Sequence, residues 1–156
     1  MPIWLRTAIF TFFIPGSAVV WIPRWLLRGR QPIWNDWHAA GGLLIAIGAA
    51  LYFRCAFDFT TAGRGTPGAW DPPKKLVIRG PYRYVRNPMY IGAGLVLLGE
   101  AALYGSYAVL RWFLIFAAAV NLFIFFYEEP TLRRLFGKEY EEYCRRVPRW
   151  IPNVGE

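Results

Sequence analysis

Two short stretches of this chain carry residues able to do chemistry. The first is Arg79-Gly80-Pro81-Tyr82-Arg83-Tyr84-Val85-Arg86-Asn87-Pro88-Met89-Tyr90-Ile91-Gly92-Ala93-Gly94, too polar and too rich in Gly and Pro for an ordinary helix, yet running straight into an apolar segment. Pro88 suits a first helical turn, where its missing N–H is no loss, and Asn87 suits the cap before it. The free N–H groups and partial positive charge of such a helix start favour a carboxylate or phosphate in the loop. Gly92 and Gly94 leave a shallow notch one turn further in, where a flat ring or another backbone could approach; in membrane helices such pairs more often serve packing. The second stretch is Tyr127-Glu128-Glu129-Pro130, adjacent acids at the edge of an apolar run. Like-charged carboxylates in a partly dry site repel, so they call for donors such as ribose hydroxyls, an amine or nearby arginines. They would equally suit a solvated helix start, where the dipole favours Glu.

The elements that must position these residues are membrane helices. Hydrophobic residues make up 56% of the 156 and charged residues 18%, against about 45–50% and about 25% in soluble proteins, which excludes a disordered tail or a soluble coiled coil. Four charge-poor stretches approach the length needed to cross a hydrocarbon core of about 30 Å: residues 7–22, 37–53, 89–105 and 107–127. The first carries Pro15-Gly16 and is predicted to kink there. It is also predicted to be retained rather than cleaved, since no small-x-small site precedes Arg24 and Arg28. The second starts at a cap in Asn35-Asp36 and carries Gly41, Gly42 and Gly48, which allow close helix contact in lipid. Only Gly105-Ser106 separates the last two, predicting a tight antiparallel hairpin. Its outer ends then meet, which brings Asn87-Pro88 beside Glu128-Glu129.

Charge sets the orientation. Seven Lys and Arg lie between Arg54 and Arg86 and six follow Tyr127, against three (Arg24, Arg28, Arg30) between the first two spans, so the long loop, the tail and both termini are expected to be cytoplasmic. The three arginines of the first loop run against that rule. The net charge of +8 points to an anionic membrane surface, with nucleic acid not expected as a partner. Two widely separated cysteines, Cys55 and Cys144, and a single histidine, His38, predict neither a disulfide framework nor a metal site. Within the hairpin, Glu100 and Arg111 are predicted to face each other as an ion pair near its non-cytoplasmic end, and Asn121 to make an interhelical hydrogen bond. After Pro130, Leu132, Leu135, Phe136, Tyr140 and Tyr143 form an apolar stripe, expected on an amphipathic helix pair lying at the cytoplasmic surface.

These residues carry a family resemblance. The tail, Glu128-Glu129 followed by Leu132, Leu135-Phe136-Gly137-Lys138-Glu139-Tyr140, Tyr143 and Arg146-Val147-Pro148-Arg149-Trp150-Ile151-Pro152, resembles the C-terminal signature of isoprenylcysteine carboxyl methyltransferases. Arg86-Asn87-Pro88-Met89-Tyr90-x-Gly92 resembles both that family's RHPxYxG and the NPMYxG of phospholipid N-methyltransferases, with Asn87 where the prenylcysteine enzymes have histidine. The resemblance covers about residues 76–152. It implies a membrane-embedded methyltransferase using S-adenosylmethionine, with Asn87, Pro88, Tyr90, Gly92, Gly94, Glu128 and Glu129 around the cofactor. Arg86, Asn87 and Tyr90 would stand at the reacting centre, and Arg83 or Arg86 would hold a cofactor or acceptor carboxylate, or a lipid phosphate. The acceptor would be lipid-like or hydrophobic and would come from the bilayer.

The expectation is therefore an all-α, multi-pass membrane protein with about four transmembrane helices and a C-terminal cytoplasmic amphipathic segment. One domain, 1–156, would divide into two N-terminal spans (1–57), a cytoplasmic loop (58–88), a hairpin (89–127) and cytoplasmic C-terminal helices (128–156). A membrane-embedded NADPH-dependent reductase of the sterol-reductase type is the alternative, because some of those enzymes end in a similar RHPxYxG segment; a non-catalytic membrane protein is the third reading.

Overall fold

The computed structural model describes residues 2–63 and 73–152; Arg64 of the long loop and residues 153–156 of the tail lie outside them. The described residues are helical or irregular, with no strand among them. Helices α1 (Ile3–Phe13) and α2 (Ile22–Leu27) make one interrupted rod. Pro15 lacks the N–H a helix needs, and the chain relaxes after it through a π-type turn over Ser17–Trp21. The rod runs Ile3–Leu27, longer at both ends than 7–22. It stops where Arg28 and Gly29 turn left-handed, at φ 48° and 80°.

Helix α3 (Asp36–Asp58) begins as predicted at Asn35, whose Oδ1 accepts from the His38 backbone N–H at 2.9 Å. It continues beyond 53 because Arg54 and Asp58 stand one turn apart and pair at 3.1 Å, so the helix carries charge without leaving it uncompensated. Helices α4 (Pro88–Leu103) and α5 (Tyr107–Phe123) form the expected hairpin. It turns at Gly105 (φ 54°) and at Ser106, whose Oγ caps the Val109 N–H at 3.4 Å. Another π-type turn, over Ile124–Glu128, leads into α6 (Glu129–Phe136), and α7 (Lys138–Arg146) follows after Gly137.

Among the described residues three helical stretches are long and apolar enough to cross a membrane: Ile3–Leu27, His38–Gly63 and Tyr107–Phe136. With 16 residues, α4 is about 24 Å long, so three stretches rather than four reach full length. It is nonetheless the packing centre. Its contact with α3 is backbone on backbone: a Cβ on Gly48 would lie 2.5 Å from the Gly92 carbonyl oxygen, and one on Gly99 would lie 2.5 Å from that of Gly41. Only glycine permits that approach, and it replaces side-chain burial with close van der Waals contact.

Two predicted polar contacts within the hairpin are not formed as drawn. Glu100 Oε2 is buried without a hydrogen-bond partner among the described residues, while Arg111 turns toward the end of α2 and lines a separate pocket there. Sequence distance from the turn set both residues at similar depth, but helical phase points them apart. Asn121 bonds neither α3 nor α4; its Nδ2 donates to the Ala117 carbonyl at 2.8 Å and its Oδ1 accepts from Trp150 Nε1 at 3.2 Å, tying α5 to the tail.

Candidate active site

The loop before α4 is held in place before any ligand is considered. Asp58, fully buried at the end of α3, meets Arg54 and Arg79 at 3.1 and 3.2 Å. Gly80, at φ 57°, passes so close to that carboxylate that a Cβ could not fit. One 3-10 turn (Gly80–Arg83) follows, and the Tyr82 carbonyl accepts from the Tyr143 hydroxyl at 2.6 Å, binding the loop to α7. The Arg86 N–H donates to the Pro148 carbonyl at 2.9 Å, so the tail closes over the same loop.

The two sequence stretches do converge. Arg86 Nη1 lies 3.0 Å from Glu129 Oε1, and the Tyr90 hydroxyl donates to Glu128 Oε2 at 2.9 Å. The adjacent acids have different environments. Glu129, only 4% exposed, takes a two-point contact from Arg149, with Nε and Nη2 each at 2.9 Å, beside the Arg86 bond and a longer approach of Arg133 at 3.9 Å. A buried carboxylate so surrounded is the centre of an internal ion cluster. Glu128 instead lines a cavity of about 390 Å³ with Tyr90, Asn87 and Arg86 at its polar end. The rest of the wall is apolar and aromatic, including Phe10, Tyr52, Phe59, Tyr82, Phe116 and Phe123. Arg86 also holds a buried Nε without a hydrogen-bond partner among the described residues, a donor with an acceptor still to find.

The other predicted site residues fall as follows. Pro88 is buried in the first turn of α4. Asn87 occupies the cap position, but its side chain makes no cap bond; Nδ2 donates to the Arg149 carbonyl at 3.3 Å, so the amide ties the helix start to the tail. Gly92 faces α3 and does not line the cavity, and Gly94 faces α5, where a Cβ would stand 3.4 Å from Phe113 Cε2. Arg83 is exposed and outside the cavity wall. Sequence reasoning missed Arg149 as a site residue, although it stands inside the quoted tail motif, and it missed Tyr52, Tyr82 and Asp58. Burial of Tyr82 pushes its phenol well above the ordinary value, so it stays neutral at the cavity wall.

Helices of membrane-spanning length, with a polar site at the open end of a hairpin and an aromatic chamber behind it, define a membrane protein that is all-helical among the described residues. The family model described as phospholipid methyltransferase matches residues 37–139, and the chain belongs to that family. The chain is 34% identical over 86 residues to protein-S-isoprenylcysteine O-methyltransferase B of Arabidopsis thaliana, covering 51% of this chain and 41% of that protein. It is 38% identical over 84 residues to the protein-S-isoprenylcysteine O-methyltransferase of Schizosaccharomyces pombe, covering 51% and 34%. It is 32% identical over 87 residues to the methanethiol S-methyltransferase of Crocosphaera subtropica, covering 54% and 32%. The matched part is thus about a third to two fifths of these relatives' length.

Proposed function

We propose that this protein transfers a methyl group from S-adenosylmethionine to a hydrophobic or lipid-like acceptor that enters from the bilayer, through a site facing the cytoplasm. The observation that carries the reading is Glu128, the one acid lining the cavity among the described residues, at the polar end of an otherwise apolar and aromatic chamber, with an Arg86 Nε that has no partner among those residues beside it. These groups suit a ligand that carries an ammonium, a carboxylate and ribose hydroxyls on a largely apolar body, and about 390 Å³ falls within the usual range for small-molecule sites. Glu128 would take the ammonium or the ribose, and Arg86 the carboxylate. Asn87 and Tyr90 would line the reacting end, and the rings of Tyr52, Tyr82 and Phe116 would pack against a cationic centre. When bound, S-adenosylmethionine supplies an electrophilic methyl group on a sulfonium.

What remains for the protein is orientation and exclusion of water. The aromatic wall keeps the chamber dry, and the Glu129 ion cluster holds Arg86 still. In this reading the span layout is also completed: α4 makes a fourth, short crossing, the loop between Gly63 and Pro88 and the C-terminal helices lie on the cytoplasmic side, and α6 and α7 rest on the membrane surface. The acceptor could present a carboxylate, an amine or a thiol; relatives named for both isoprenylcysteine and methanethiol methylation support that breadth.

Isothermal calorimetry on the detergent-purified chain tests the reading. Binding of S-adenosylmethionine is expected, and transfer of labelled methyl into lipid or small-molecule extracts would then identify the acceptor. Binding of NADPH alone would favour the reductase reading, and binding of neither a non-catalytic protein.

A further inference from the structure

At the opposite end of the hairpin a second pocket, of about 470 Å³, is lined by Arg28, Arg30 and Arg111 together with Trp25, Tyr107 and Leu26. Among the described residues no carboxylate stands in its wall, and none of the three guanidinium groups has an ion-pair or hydrogen-bond partner. Three like charges turned into one concavity repel one another, an arrangement that an anion would relieve. The pocket also receives the first turn of α5, whose Tyr107 and Ala108 line it, adding the partial positive end of a 17-residue helix.

Position identifies the anion. The pocket sits where one membrane-length stretch ends, at Leu27, and another begins, at Tyr107, so it lies at the level of lipid headgroups. Trp25 and Tyr107 are 69% and 80% exposed, the pattern of aromatic residues anchored at a membrane interface. Planar guanidinium groups match phosphate oxygens in two-point contacts, and Leu26 and Leu27 give the same pocket an apolar wall that suits the acyl part of a lipid. We infer that Arg28, Arg30 and Arg111 form a binding site for the phosphate of an anionic phospholipid in the leaflet opposite the candidate active site. This also accounts for two of the three arginines, Arg28 and Arg30, in a loop that the positive-inside rule would leave poor in them: these two serve a ligand and do not report orientation.

The test needs no enzymatic activity. Native mass spectrometry of the full chain in detergent, titrated with phosphatidylglycerol or with phosphatidylcholine, should show phosphatidylglycerol retained preferentially. Arg28→Gln/Arg30→Gln/Arg111→Gln should weaken that retention roughly a hundredfold, at about fivefold per arginine. Arg134→Gln/Arg145→Gln, at the other end of the molecule, should leave it unchanged. Equal retention of the two lipids by the unaltered chain would overturn the proposal without recourse to any variant, as would undiminished retention by Arg28→Gln/Arg30→Gln, which alters only exposed residues after α2. Displacement of phosphatidylglycerol by millimolar inorganic phosphate would overturn the lipid as the ligand in favour of a soluble anion.

Discussion

The two ends of the α4–α5 hairpin use arginine in opposite ways. At the open end, Arg86 and Arg149 close on Glu129, which is nearly out of solvent, and the cluster locks loop, hairpin and tail together. At the turn end, Arg28, Arg30 and Arg111 share a pocket with no acid in it. Paired and buried, an arginine is part of the architecture; unpaired at a membrane boundary, it is a site waiting for something outside the chain. Charge counts along the sequence treat the two alike. Burial and partnership separate them.

Removing charge from each end should therefore have unequal consequences. Glu129→Ala leaves Arg86, only 13% exposed at its side chain, without its counter-charge, and should cost about 3–5 kcal/mol in a detergent unfolding titration. A loss below about 1 kcal/mol would erase the contrast. Gly48→Leu, at the backbone crossing that holds both ends in register, should cost at least about 1–3 kcal/mol through overpacking, read as a lowered thermal midpoint. Glu128→Gln should leave stability nearly intact but weaken S-adenosylmethionine binding about 10–100-fold by calorimetry, since Glu128 faces the cavity while Glu129 faces arginines. Equal effects from the two neighbouring acids would contradict that division.

Smaller effects sharpen the same picture. Tyr143→Phe removes the bond to the Tyr82 carbonyl and should cost about 0.5–1.5 kcal/mol. Burial raises the Tyr143 phenol above its ordinary value, so the folded chain holds that proton more tightly than the unfolded one. Its contribution is whole below about pH 10 and is lost as the pH rises further, a slope that the phenylalanine variant should flatten. Arg111→Gln, at the unpaired end, should shift stability by no more than about 0.5 kcal/mol in lipid-free detergent.

Much of this was readable along the chain because it depends on local order. Apolar runs, the Pro15 break, the Asn35 cap and the two-residue turn at Gly105-Ser106 all act over a few neighbours. The hairpin then followed from the shortness of that turn, and with it the meeting of Arg86 with Glu129 and of Tyr90 with Glu128. Helical phase and long-range partners were another matter. Which glutamate faces the cavity, that Gly92 is spent on α3, that Glu100 and Arg111 point apart, and that Arg149 returns from the tail to clasp Glu129 depend on rotations about helix axes and on contacts between distant segments. A residue's type announces that it needs a partner; only packing in three dimensions chooses which one it finds, because burial and distance set the strength of every charge in the molecule.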